Sequence, residues 1–236
     1  MAMPRWLPLA TILTIAAAMI AYGPIAQPAG YHDFADTRTW IGLPRAADVL
    51  SNAPFALAGF WALARRRSSA AWTVFDVSLA LTALGSTYYH LAPDDARLVW
   101  DRLPIALACA GLLAATHAET HESSRTMPRL IVLCAGAVAS VAWWRATGDL
   151  RPYLLLQGAP LLLLPLWQWQ AGTPRRERIL FGAAIACYIA AKLCEALDRA
   201  MFDALVTVSG HTLKHLLAAV GAALIVYARN NEPREA

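Results

Sequence analysis

The sequence predicts an all-α fold, a polytopic transmembrane helical bundle of eight helices. Three observations predict it. First, 58% of the 236 residues are hydrophobic and only 15% are charged, less charge than a soluble domain carries, and the mean hydropathy is +0.44. Second, several apolar runs reach the roughly 17–25 residues needed to cross a hydrocarbon core. Third, prolines and charge clusters separate those runs at intervals that leave no room for a soluble domain.

In chain order, the first run spans 6–24 and closes before Pro24 and Pro28. It has only Arg5 as an n-region and no small-x-small cleavage site before YHDFAD. Residues 1–27 are therefore expected to stay as an N-terminal transmembrane helix, an uncleaved signal-like segment. Residues 28–47, with Asp33, Asp36, Trp40 and Pro44, form a non-cytoplasmic loop. Seven further helices are predicted over 48–64, 71–91, 97–117, 128–145, 152–170, 178–198 and 204–228, giving a membrane domain at 48–228. They are bounded by RRR at 65–67, APDD at 92–95, Pro128, Pro152 and TPRRER at 173–178. The polar tail 229–236 is predicted to be disordered.

In such a chain the net charge of +4 concerns loops and lipid headgroups, and nothing argues for nucleic acid. Cys109, Cys134, Cys187 and Cys194 lie in apolar runs without CxxC spacing and read as small core residues. Arg outnumbers Lys eighteen to two, an association with GC-rich bacterial genomes that points to a bacterial inner membrane. Eleven arginines (5, 65, 66, 67, 125, 129, 175, 176, 178, 229 and 234) fall on one side of the eight helices. Six (38, 45, 97, 145, 151 and 199) fall on the other. The positive-inside rule makes the first side cytoplasmic, with both termini. Most of the nine tryptophans lie near helix ends and read as interface anchors.

Five polar residues inside these runs carry the chemistry. Ser86 and His90 are four apart at the end of the third helix. Asp101 follows His90 by eleven residues, at the start of the fourth. His211 and His215 are four apart near the start of the eighth. Residues i and i+4 share a helix face, and all five belong to the non-cytoplasmic side. Ionisable groups in a membrane segment are costly and usually functional. Three neutral imidazoles with an open fourth position suit catalytic zinc, which brings a bound water's pKa to about 7. Asp101 would orient or deprotonate that water, and Ser86 could donate to a developing oxyanion. By contrast His117 and His121, amid Glu119, Glu122 and Ser123 at the opposite end of the fourth helix, read as a solvated helix end. His32 reads as a surface residue with a possible lid role. Lys192, Glu195, Asp198, Arg199 and Lys214 read first as ion pairs, such as Glu195 with Lys214. A support role for Glu195 behind a metal-bound histidine is the sharper alternative.

The S-x3-H pair, the Asp eleven residues later and the C-terminal H-x3-H resemble the CREST superfamily of membrane hydrolases, which includes alkaline ceramidases and adiponectin receptors. DVLSNAPFALAGFWAL is similar to the first core helix of the ceramidase branch. Over roughly 48–228, the resemblance implies a seven-helix ceramidase-like core with one extra N-terminal helix. It also implies one Zn2+ on His90, His211 and His215, and amide hydrolysis through Asp101 and Ser86. The implied substrate is a membrane lipid, ceramide or another N-acyl lipid. The chain departs from that branch at its calcium site: HDFADTRTWIGLPRAAD lacks the Asp-Trp pair, and Arg45 stands at the position of the Glu opening the first core helix. This puts Ca2+, and ceramide itself, in doubt. The expectation is a zinc-dependent amidohydrolase. The alternatives are a non-catalytic lipid-sensing receptor with structural zinc and a metal or proton transporter, which would want ionisable residues on both sides of the midplane.

The orientation is directly testable. A reporter enzyme active only in the periplasm should be silent when fused after Ala236 and active when inserted at 92–96. The reverse pattern would overturn the orientation and leave the site untouched.

Overall fold

The computed structural model describes residues 3–65, 69–121 and 125–230. Arg66, Arg67, Glu122, Ser123 and residues 231–236 of the expected disordered tail lie outside the described residues, whereas Arg229 and Asn230 of that tail are helical and close the last helix. The chain is all-helical, 79% helix with no strand among the described residues. Among the described residues ten helices follow in order: α1 Leu7–Tyr22, α2 Ala46–Leu50, α3 Ala53–Arg65, α4 Ala70–Leu91, α5 Asp95–His121, α6 Thr126–Thr147, α7 Arg151–Gln170, α8 Arg175–Ala196, α9 Asp198–Leu205 and α10 Gly210–Asn230.

Four of them, α5, α6, α8 and α10, are long and apolar enough to cross a membrane, and α1 is apolar but only 16 residues long. This fits a membrane protein. α4 falls outside the four because of what it buries. Ser78, Thr82, Ser86 and His90, each four residues from the next, make an inward polar stripe, and Asp76 is buried beside it.

Two predicted helices are corrected. The helix expected at 48–64 is broken into α2 and α3 at Ser51 and Asn52. The Ser51 hydroxyl and the Asn52 amide both donate to the Asp48 carbonyl, at 3.0 and 2.8 Å, and such local bonds compete with the helical ladder. Pro54 then cannot donate to the Leu50 carbonyl. The last helix, expected from 204, starts at Gly210, and a separate helix α9 precedes it. Val206 ends α9 with φ +61°, and the Arg38 guanidinium holds this turn by donating to the Val206 and Thr207 carbonyls at 3.1 and 2.7 Å.

α5 packs against α4, α6 and α7, α10 packs against α8 and α3, and α1 lies on α7. Two glycines set the contacts nearest the polar cluster. A Cβ on Gly85 would lie 2.0 Å from the Trp100 carbonyl oxygen, and one on Gly210 would lie 2.2 Å from that of Cys194. Only glycine permits these backbone approaches. The first draws α4 against α5 beside Ser86 and Asp101, and the second draws α10 against α8 beside His211. At the opposite end, Arg229 donates to both oxygens of Asp76 at 2.8 Å, with both residues buried, and its guanidinium lies 4.7 Å over the Trp72 ring.

Gly85→Ala should therefore lower the melting temperature in detergent by several degrees, because backbone has to move. Gly136→Ala, in open space on α6, should be neutral or stabilising by up to about 1 kcal/mol. Equal melting temperatures for wild type and Gly85→Ala would reject the close-approach account.

Candidate metal centre

The helix ends bring the three predicted histidines together. His90 comes from the last turn of α4, and His211 and His215 from the first two turns of α10. All three are buried, at 1%, 5% and 4% exposure. One nitrogen from each lies within 4.8 Å of the others, so the group could hold a metal ion. The ring centroids are 4.7–4.9 Å apart. His90 Nε2 and His211 Nε2 are separated by 3.3 Å. Two ligands at about 2.0–2.1 Å from one tetrahedral ion are about 3.3–3.4 Å apart, so this edge already has the span that zinc requires.

The third histidine is oriented from outside the triad. Because the Ser51 hydroxyl donates to the Asp48 carbonyl, its oxygen is left to accept from His215 Nδ1–H at 2.8 Å. That fixes the tautomer with a lone pair on Nε2, the support that metal-binding histidines commonly have. His90 Nδ1 is buried without a partner, so the support is uneven around the triad. The Asp48 carboxylate accepts from Thr212 at 2.7 Å and Ser209 at 3.3 Å, tying α2 to the start of α10. Sequence reasoning used the Ser51-Asn52 pair only as a mark of resemblance. The D-V-L-S-N spacing, which puts Asp48, Ser51 and Asn52 on one turn, was the available signal.

Residues 30–38 cover the triad on its outer side. Phe34 is buried with its ring 4.7 Å from His90 and 4.4 Å from His211. The strap is pinned on both flanks. His32 bonds Tyr89 at 2.8 Å and Asp95 at 3.2 Å. Asp198 accepts from the backbone N–H of Ala35 and of His211, at 2.9 and 2.8 Å. Burial alone would raise the Asp36 carboxyl, but the hydrogen bonds from the Arg38 side chain and backbone outweigh it and hold the group below the usual carboxylate range. His32 is thus part of the strap and no ligand. Its partner spacing was invisible in the sequence because Tyr89 and Asp95 belong to other elements.

Ser86 and Asp101 are also both buried, on the turns of α4 and α5 that the close approach of Gly85 to Trp100 brings together. Both, with His211 and His215, line a cavity of about 810 Å³. Lys214 lines it too, donating to Glu195 at 2.6 Å and lying 3.4 Å from His211 Nε2. Glu195 also pairs with Lys192, so its carboxylate is occupied by two lysines rather than by a triad histidine. Away from this polar end the wall is apolar, with Phe55, Leu79, Leu112, Leu164, Phe181 and Ile225 contributed by six helices. His117 and His121 stack on each other beside Trp167. They lie sixteen and twenty residues beyond Asp101 on α5, at least about 24 Å along the helix axis, and take no part in the site.

The chain matches no protein-family model, and no curated protein is significantly similar to it.

Elemental analysis of the purified protein should find about one zinc per chain. His90→Ala, His211→Ala and His215→Ala should each lose it, and His117→Ala should keep it. Ser51→Ala should bind zinc about 10- to 100-fold more weakly. Full zinc in the His215 variant, or equal loss in the His117 variant, would reject the assignment.

Proposed function

We propose that this protein is an integral-membrane, zinc-dependent hydrolase that cleaves the amide bond of an N-acyl lipid, releasing a fatty acid and an amine. The observation that carries the reading is a single cavity lined by Ser86, Asp101 and two of the clustered imidazoles together with a mainly apolar wall. An apolar receiving space beside a hydrolytic cluster suits a substrate with a scissile bond near its headgroup and a hydrocarbon chain behind it.

His90, His211 and His215 would hold the zinc. When bound, it supplies Lewis acidity toward a carbonyl and makes water a nucleophile near neutral pH. Asp101 is placed to accept a proton at its carboxylate and return it to the leaving amine. The Ser86 hydroxyl lines the same cavity and can donate to negative charge developing on the carbonyl oxygen. Lys214, fixed by Glu195, adds a positive charge at the same wall. Phe34 excludes bulk water from the outer side, which strengthens each of these interactions. In this reading the chain spans a bacterial inner membrane eight times, as a seven-helix ceramidase-like core plus the N-terminal helix. The site is on the non-cytoplasmic side, and the substrate arrives from the bilayer.

Asp101→Asn should retain zinc and lose turnover. Ser86→Ala should lose about 10²- to 10³-fold in kcat. The measurement is fatty-acid release from ceramide and other N-acyl lipids in detergent. No release from any N-acyl or O-acyl lipid by fully zinc-loaded wild type would favour a lipid-sensing receptor with structural zinc. Ester-only cleavage would keep a hydrolase and discard the amidase.

A further inference from the structure

One buried cation near the site is surrounded by aromatic faces rather than held by a carboxylate. Arg102 follows Asp101 on α5 and lines the same cavity, yet it is only 3% exposed. Among the described residues it has no ion-pair partner. One terminal nitrogen donates to the Gln27 side chain at 2.9 Å, and the other, NH1, is buried with no hydrogen-bond partner. Three aromatic faces surround the guanidinium, Trp144 at 3.9 Å, Tyr31 at 5.2 Å and Tyr153 at 5.4 Å from their centroids. Gln27 is itself held, donating to Asp95 at 3.1 Å.

Burying a charge is expensive unless it is paired. The aromatic box offsets part of that cost, and it also fixes the orientation of the guanidinium while leaving a donor unused. A guanidinium fork suits a carboxylate or phosphate. Its position fixes which part of a ligand it would meet. Arg102 lies against Tyr31 of the strap and immediately follows Asp101, and all three line the cavity. It is therefore on the strap side of the cavity, next to Asp101.

We propose that Arg102 is an anion receptor for the substrate's headgroup, so that the natural substrate is an N-acyl lipid carrying a carboxylate or phosphate on the amine side of the scissile bond. This rests on the amidohydrolase reading for the word substrate, but binding can be measured without turnover. A neutral headgroup would leave the Arg102 donor unpaired, and a site built to bond a polar group discriminates against ligands that lack it.

The test uses zinc-loaded protein in detergent in an Asp101→Asn background, so that the ligand is not consumed. Scintillation-proximity binding is compared for N-dodecanoylglycine, dodecyl phosphate and the neutral N-dodecanoylethanolamine, which share one chain length. At least one anionic ligand should bind 10-fold or more tightly than the neutral one, and which anion does so distinguishes carboxylate from phosphate. Adding Arg102→Gln, with zinc content verified, should weaken the preferred anion about 10- to 100-fold and leave the neutral ligand within about twofold. Equal binding of all three by the Arg102 protein overturns the proposal, and this result needs no further variant. An anion preference that survives Arg102→Gln assigns the anion to the metal and overturns it as well. Equal loss for all ligands would make Arg102 purely a cation–π strut. A preference abolished by Arg102→Gln in a protein whose wild type releases no fatty acid would support the receptor and sink only the hydrolase.

Discussion

Three imidazoles buried with their nitrogens within 4.8 Å of one another are the constraint on which the rest of the structure turns. Apolar packing does not explain such a group. Each ring carries polar atoms that cost free energy when left unpaired in a dry interior, and three of them crowd one point. A divalent cation shared between them would satisfy all three at once. The local chain geometry follows from bringing them there. Gly85 lets α4 meet α5, Gly210 lets α10 meet α8, the break at Ser51 and Asn52 turns a hydroxyl toward His215, and Asp198 fastens the outer strap to the backbone of His211.

Charge is handled differently at the two ends of the bundle. At the end away from the triad, Asp76 and Arg229 neutralise each other in a buried pair, which binds α4 to α10. At the triad end, pairing is incomplete. Glu195 is shared between Lys192 and Lys214, and Arg102 has aromatic faces in place of a carboxylate. A buried charge without an ionic partner is costly, so a fold optimised only for stability would not keep Arg102 in that state beside a cavity. These groups, with Asp101 and two of the imidazoles on the same mainly apolar cavity, are the physical case for the proposed amphiphile site.

The helical class, most helix limits and the grouping of His90, His211, His215, Ser86 and Asp101 were legible in the sequence, because i, i+4 spacing and the alternating direction of successive spans place those residues at one end. What was not legible depends on contacts between distant segments. Most of helix α9 was read as the connection between the last two helices because its composition resembles a loop, and the left-handed turn at Val206 is held by Arg38 from a distant segment. The 48–64 helix was read as continuous because its hydrophobicity hid the competition from Ser51 and Asn52 for the Asp48 carbonyl. Phe34 looks like any loop aromatic until its ring is seen packed against those of His90 and His211. Arg102 was passed over as an arginine near a helix start, since its aromatic box is assembled from residues 31, 144 and 153.

X-ray absorption at the zinc edge tests the central claim most directly, on the intact protein in detergent without added metal. The account predicts a four-coordinate spectrum with three imidazole nitrogens at about 2.0–2.1 Å and one further light atom. The multiple-scattering pattern of the rings should disappear in His215→Ala. A sulfur shell at about 2.3 Å, six-coordinate oxygen ligation, or a spectrum unchanged by loss of His215 would contradict it.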